Sequence, residues 1–208
     1  MRKIAVLGWG SLIWDPGTLG VSSKWRTDGP CLPIEFARKS DGMRATLVVV
    51  PGYECFSRSY WALSVFGDVG TAADNLRIRE GMDWLRPIHV AYEDTWHSAG
   101  DGRGPKDDIG TAVSEWVAHQ DVDAAIWTGL AAKTFEPKSQ RVPLEDQVVA
   151  FLRSLDLAKS KGAREYVEKA PASIDTPVRQ AIEIELGWGR TPLDPELIEG
   201  DEPGEPCA

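Results

Sequence analysis

The chain has 208 residues, of which 42% are hydrophobic, and a formal net charge of −9 from 32 acidic and 23 basic side chains. This length supplies one substantial hydrophobic core and is short for two, so we expect a single domain. The acidic balance, with no long basic stripe, argues against nucleic acid as a partner. No apolar run approaches the roughly 18 residues of a membrane span, and the apolar run near the N-terminus is too short for the core of a signal peptide. The sequence therefore predicts a soluble cytoplasmic protein without a membrane partner.

The cysteines and histidines are scattered along the chain. Cys31, Cys55 and Cys207 are odd in number and far apart, and no C-x-x-C pair occurs. This spacing predicts three ordinary thiols, because a disulfide framework or a zinc site needs closer, paired cysteines. The three histidines are equally dispersed, so we expect no metal site.

Strands dominate the first half of the chain in the predicted order of elements. Alternation and β-branched content predict strands at residues 3–7, 32–38, 44–50, 60–66, 88–93 and 124–128. Helices are predicted at residues 70–82 and 106–119, from Pro143 onward, and twice more in the C-terminal third. Pro143 suits a first helical position, and the last helix is predicted to start after a Thr176 cap and to stop at Gly187.

This order favours an α+β domain around a mixed or antiparallel sheet, because helices do not alternate regularly with strands. We expect one domain over residues 1–190, with a core at 1–95 and a helical elaboration at about 98–190. Residues 191–208 are rich in Pro, Asp, Glu and Gly. They predict an acidic, loosely ordered tail, with a tail lying along the body as the alternative.

The first seventeen residues are the most informative stretch. The apolar run Ile4 to Leu7 leads directly into G-W-G-S-L-I-W at residues 8–14 and then a turn at residues 15–17. Glycines after a buried strand allow a sharp turn whose N–H groups are free to bind an anion or a carbonyl oxygen. A dinucleotide-binding loop is not supported, because its third glycine would replace Ile13. A nucleophile elbow around Ser11 would need glycines at positions 9 and 13.

The remaining hypothesis is a cradle. The N–H groups of Gly10, Ser11 and Leu12 would hold a carboxylate or carbonyl oxygen, and Trp9 and Trp14 would form walls of the pocket. Such a loop supports chemistry only if another segment supplies a reactive group.

Glu80 is the strongest candidate for that group. Val69, Ala73, Leu76 and Glu80 are spaced by four, three and four residues, so Glu80 ends an apolar stripe on a helix. Burial would raise its pKa and make it a better acceptor for an amine proton. The alternative is that Glu80 pairs with a neighbouring arginine or lies exposed, and the residues alone leave both open.

Four segments, taken together, resemble the γ-glutamylcyclotransferase-like family, which includes the ChaC-type glutathione-degrading enzymes and the γ-glutamylamine cyclotransferases. The G-W-G-S-L-I-W loop is similar to the family's Y-G-S-L loop. Residues 36–40 (F-A-R-K-S) with 44–47 (R-A-T-L) resemble its R-x-S strand and the next strand. Residues 60–66 (Y-W-A-L-S-V-F) and 76–81 (L-R-I-R-E-G) resemble the strand before the catalytic helix and the end of that helix. The resemblance covers about residues 3–95.

The resemblance implies a small mixed β-barrel with a cavity at one end, and no cofactor. It implies a γ-glutamyl cyclotransferase-type lyase: the substrate's α-amine attacks its own γ-glutamyl carbonyl, giving 5-oxoproline and a released amine or peptide. Glu80 would be the general acid and base, and the amides of Gly10, Ser11 and Leu12 would hold the substrate oxygens. The leaving group stays open between glutathione, a γ-glutamyl amine and an antibiotic precursor. A fold-mate that only binds a metabolite or a partner is the alternative function.

The chain departs from the family pattern at Trp9, where the family most often has Tyr; Ser11 or Tyr60 would then have to supply the missing hydroxyl. Trp84 stands where the family has an aromatic residue after the catalytic helix. The residues expected to bind substrate are Trp9, Gly10, Ser11, Leu12, Arg38, Ser40 and Trp84, with Arg44 as a second arginine that could bind a carboxylate. Beyond Ser98 nothing resembles the family, and this region is expected to cover the cavity or to form a homodimer surface.

Overall fold

A seven-stranded mixed sheet runs through the middle of the protein, as seen in a computed structural model that describes residues 1–104, 108–133, 135, 145–200 and 207. The strands are β1 (Ile4–Gly8), β2 (Trp25–Arg26), β3 (Cys31–Leu32), β4 (Ile34–Lys39), β5 (Ala45–Val49), β6 (Ser57–Arg58), β7 (Tyr60–Leu63), β8 (Ile88–Ala91), β9 (Trp96–Ser98), β10 (Ala124–Thr128) and β11 (Ile198–Glu199). The helices are α1 (Val69–Arg79), α2 (Ile109–Ala118), α3 (Glu145–Arg153), α4 (Leu157–Lys169) and α5 (Pro177–Leu186).

The large sheet is open, with the strand order β11-β2-β7-β1-β10-β8-β9. β1 lies at its centre, antiparallel to β7 and parallel to β10. Closure into a barrel would require the two edge strands to pair with each other, but the edges are β11 and β9, which do not pair. The predicted α+β class is therefore confirmed, and the predicted small mixed β-barrel is wrong.

Both faces of β1 are buried, which explains its continuous apolar sequence. Ala5 and Leu7 face one core, which the helices α2 to α5 help to form, while Ile4 and Val6 face a second core that contains α1. β10 lies between β1 and β8, so the region after Ser98 supplies a central strand as well as helices. The region at about 98–190, predicted as a helical addition to a core at 1–95, thus contributes a strand to the central sheet.

The hairpin of β4 and β5 is a separate two-stranded sheet that is joined to the last helix by a buried carboxylate. Glu35 is fully buried and accepts hydrogen bonds from the Tyr53 hydroxyl (2.8 Å) and the Val178 backbone N–H (3.3 Å). Burial raises the pKa of Glu35. As the prediction has it, Thr176 caps α5, its hydroxyl accepting from the Arg179 N–H, and Gly187 ends α5 in the left-handed conformation (φ 66°).

The described part of the C-terminal tail lies along the body, which is the second of the two alternatives. β11 pairs with β2, Leu193 is buried, and Arg26 forms an ion pair with Glu199 at 3.1 Å. Burial of Leu193 and backbone pairing offset the polar composition that predicts a loose tail.

The expectation of three ordinary thiols is wrong for two of them, because Cys31 and Cys207 form a disulfide across 176 residues of chain. Spacing in sequence cannot reveal a pair that only the fold brings together. Cys55 is a free thiol.

All six predicted strands are present, although residues 32–38 are divided between β3 and β4. The short strands β2, β6, β9 and β11 escaped prediction, because two or three residues carry no periodic pattern. Two helices are predicted to begin at Lys106 and at Pro143, and both of these positions lie outside the described residues.

Candidate functional site

A cavity of about 410 Å³ opens between the β1 loop, the end of α1, the β4–β5 hairpin and α4. Seven of the eight residues predicted for the site line it: Trp9, Gly10, Ser11, Leu12, Arg38, Ser40 and Glu80. Segments about seventy positions apart in sequence therefore meet at one cavity. Its volume falls within the range of about 300–1,000 Å³ that is typical of small-molecule pockets.

The loop after β1 is a hydrogen-bonded turn. The Ile13 N–H donates to the Gly10 carbonyl at 3.0 Å, and the Asp15 N–H donates to the Ser11 carbonyl at 2.8 Å. Within the described residues, the N–H groups of Gly10, Ser11 and Leu12 have no hydrogen-bond acceptor. Successive N–H groups of this kind bind an anion or a polarised carbonyl oxygen.

Trp9 anchors this loop to the hairpin. Its indole N–H donates to the Leu47 carbonyl of β5 at 3.3 Å, and the residue is 5% exposed. The indole is therefore both a wall of the cavity and a fixed part of the core, and its donor is already engaged.

Glu80 lies at the C-terminal cap of α1. Asp68 caps the N-terminal end of this helix, and the apolar stripe formed by Val69, Ala73 and Leu76 is buried. The Glu80 carboxylate therefore lies at the C-terminal end of the buried face of α1. Burial raises the pKa of Glu80 above the ordinary glutamate value of 4.5, and the adjacent Arg79 partly opposes this rise. A carboxyl group with a raised pKa is a stronger base when ionised and a better acid when protonated.

Arg79 connects Glu80 to the loop. Its Nη1 binds Glu80 Oε1 at 2.8 Å, and its Nη2 donates to the Ser11 hydroxyl at 3.1 Å and to the Asp15 carbonyl at 2.6 Å. Glu80 therefore lines the cavity and also pairs with a neighbouring arginine, while its chemical role stays a prediction. The side chains of Arg79 and Glu80 are only 13% and 18% exposed, so solvent screens this pair weakly.

Tyr166 is a cavity residue that the sequence did not indicate. It comes from α4, and its hydroxyl accepts a hydrogen bond from the Leu47 N–H at 3.3 Å. Its ring packs edge-on against Trp14 and Phe36, with centroids 5.5 and 6.4 Å away. Burial raises the pKa of Tyr166 to about 12, so the hydroxyl keeps its proton at neutral pH. In sequence, Tyr166 is only one apolar position of a helix, and nothing there links it to a loop about 150 residues earlier.

Three predicted roles need correction or refinement. Trp84 does not line the cavity and is 76% exposed, because Gly81 adopts φ 65° after α1 and redirects the chain. Tyr60 cannot supply the hydroxyl, since its Oη lies 2.8 Å from Ser173 Oγ and the residue is not part of the cavity wall. Arg38 lines the cavity but already donates to the Ala131 carbonyl at 2.9 Å.

No group of three or more His, Cys, Asp and Glu side chains among the described residues has an arrangement suited to a metal ion. Within the same residues, the helices are too short or too polar to cross a membrane.

Comparison of the chain with protein-family models, with curated proteins and with solved structures finds no match.

Proposed function

We propose that this cavity cyclises a γ-glutamyl amine or peptide to 5-oxoproline and releases the amine or peptide. The proposal extends the sequence resemblance to the γ-glutamylcyclotransferase-like family, and one observation carries it. Through a single guanidinium, Arg79 joins the largely buried Glu80 carboxyl to Ser11, in the loop where successive N–H groups have no acceptor among the described residues.

Glu80 would act first as the base. The substrate's α-amine loses a proton to the Glu80 carboxylate as its nitrogen attacks the γ-carbonyl carbon, and a carbon–nitrogen bond forms. The raised pKa of Glu80 brings its basicity closer to that of the amine, which makes this transfer less uphill.

The loop would act on the oxygen. Attack places negative charge on the former carbonyl oxygen, and the N–H groups of Gly10, Ser11 and Leu12 would stabilise it. Glu80 then returns its proton to the leaving nitrogen as the original amide bond breaks. Atoms balance without water or an added reagent, because the substrate supplies both the nucleophile and the leaving group.

Arg79 would position Glu80 and balance its charge. Its two nitrogens hold the carboxylate and the loop hydroxyl at 2.8 and 3.1 Å, so the base and the oxygen-binding turn would keep a constant separation during turnover. The charge of Arg79 and its hydrogen bond to Glu80 also oppose the rise that burial causes in the pKa of Glu80.

The test is release of 5-oxoproline from a panel of γ-glutamyl dipeptides and γ-glutamyl amines. Glu80→Gln should lower kcat by about 10²- to 10⁴-fold, the usual contribution of a general acid–base group. Asp74→Asn is the matched control, because Asp74 lies on the same helix and pairs with Arg77 at 2.7 Å without lining the cavity. Turnover that survives Glu80→Gln would refute the mechanism.

The alternative function, a protein that only binds a metabolite, makes a different prediction. Binding of γ-glutamyl compounds, measured by calorimetry, without any 5-oxoproline release would favour that alternative.

A further inference from the structure

A second cavity of about 690 Å³ adjoins the first one. The two share Ser11, Arg44, Arg79 and Tyr166 in their walls. A γ-glutamyl compound has its reacting amide between a glutamyl group and a leaving group. With the glutamyl group between Glu80 and the loop, the leaving group would extend past the shared residues into the second cavity.

The charges of the second cavity are mostly neutralised by protein partners. Lys169 pairs with Glu165 at 2.6 Å, and Arg79 is engaged by Glu80, Ser11 and Asp15. Arg44 is different, because within the described part of the chain no carboxylate lies within ion-pair distance of its guanidinium; Glu165, which is paired with Lys169, is only near enough for the charge of Arg44 to help lower its pKa. Among the described residues that line both cavities, Arg44 is the cation without an ion pair.

Two contacts orient Arg44, which is an exposed residue: one is made by its backbone and one by its guanidinium. Its backbone N–H donates to Ser40 Oγ at 3.1 Å, at the turn of the β4–β5 hairpin. Its guanidinium carbon lies 5.6 Å from the centroid of the Tyr166 ring, within cation–π range. An arginine oriented by an aromatic ring presents a planar pair of donors that matches a carboxylate.

We propose that Arg44, supported by Tyr166, binds a carboxylate on the leaving group, so that the substrates are γ-glutamyl amino acids or peptides and not γ-glutamyl amines. This inference rests on the proposed function and narrows it. Ser40, predicted from sequence as a binding residue, would then act by positioning Arg44. A leaving group with a positive charge is disfavoured, because it would approach an arginine without a counterion.

The test compares γ-glutamylglycine with γ-glutamylglycinamide, two compounds that differ only in the charge of the leaving group. The wild-type protein should have a kcat/KM about 10- to 100-fold higher for the acid, as expected for one charge-assisted hydrogen-bonding pair. Arg44→Gln should remove most of this preference, because it lowers kcat/KM much more for the acid than for the amide, and Arg44→Lys should retain part of it. Tyr166→Phe keeps the ring under Arg44 and should preserve the preference.

The control is Arg86→Gln, which removes an arginine whose side chain is 81% exposed and that lies outside both cavities. It should leave the acid-to-amide ratio unchanged. Equal kcat/KM for acid and amide in the wild type, or a preference that survives Arg44→Gln, would overturn the role assigned to Arg44. Either result would leave the proposed function standing. No 5-oxoproline from either compound or from the wider panel would overturn the proposed function, and this assignment with it.

Discussion

Gly10→Ala should destabilise the protein because of one atom of Tyr166. A Cβ atom at position 10 would lie 2.6 Å from the Tyr166 hydroxyl oxygen, and the next nearest atom, Tyr166 Cζ, would be 3.7 Å away. The backbone of Gly10 has no positive φ, so an alanine meets no conformational penalty there. The cost of the substitution therefore comes from this one contact.

The hydroxyl cannot move aside easily. Although it ends a side chain, Tyr166 as a whole is only 7% exposed, and its ring packs against Trp14 and Phe36. Overpacking of this kind costs about 1–3 kcal/mol, and we expect about 2 kcal/mol for Gly10→Ala. In a Tyr166→Phe background the oxygen is gone and the 3.7 Å contact is ordinary, so the same substitution should cost less than about 0.5 kcal/mol.

The assay is a double-mutant cycle by urea unfolding. Tyr166→Phe alone should cost about 1–2 kcal/mol, because it leaves the buried Leu47 N–H without its acceptor. Gly189→Ala is the control, since a Cβ there meets no atom within 4 Å. The reasoning fails if Gly10→Ala is tolerated in the wild type, or if it costs the same in both backgrounds. Either result would mean that α4 does not close the cavity against the loop.

Three further predictions concern buried or largely buried charged groups. Because burial raises the pKa of Glu80, kcat/KM should rise with pH around a midpoint above 4.5. Arg79→Gln should move this midpoint to still higher pH, because Arg79 lowers the pKa of Glu80. A midpoint at or below 4.5 would contradict this prediction. Folded protein then holds the Glu80 proton more tightly than unfolded chain, so this group's contribution to stability should fall as pH rises from 4.5 through the raised pKa, a dependence that Glu80→Gln should abolish. Arg179→Met should cost at least about 3 kcal/mol in urea unfolding, since the fully buried guanidinium donates to one carbonyl in the last turn of α4 and to three in the segment between α4 and α5. Arg164→Met, which removes an exposed ion pair, should cost less than about 1 kcal/mol, and similar losses for both would refute this reasoning.

Part of the site was predictable because the β1 loop and the stripe that ends in Glu80 are each formed by residues close together in sequence. A buried strand followed by G-W-G-S indicates a turn with free N–H groups, and an apolar stripe that ends in Glu80 indicates a partly buried acid. Both patterns depend on steric and hydrophobic preferences within a few residues. Trp84 failed as a site residue because one left-handed glycine, Gly81, decides the direction of the chain after α1.

The open sheet and the disulfide were not predictable in the same way. Whether edge strands pair depends on how β9 and β11, each of three residues or fewer, meet the rest of the sheet. The bond between Cys31 and Cys207 depends on where the tail lies. Neither arrangement has a signature in local sequence.

By itself, the sequence determined the α+β class, most of the strand and helix positions among the described residues, and the β1 loop, and it singled out Glu80, which lines the same cavity as that loop, because backbone propensity and apolar periodicity act over short distances. Only the tertiary structure decided that Arg79 joins Glu80 to Ser11, that Tyr166 completes the cavity, and that no carboxylate of the described residues lies within ion-pair distance of Arg44. Those features depend on contacts between residues that are 68 and 119 positions apart. Only the packing of the whole chain determines which distant side chains meet.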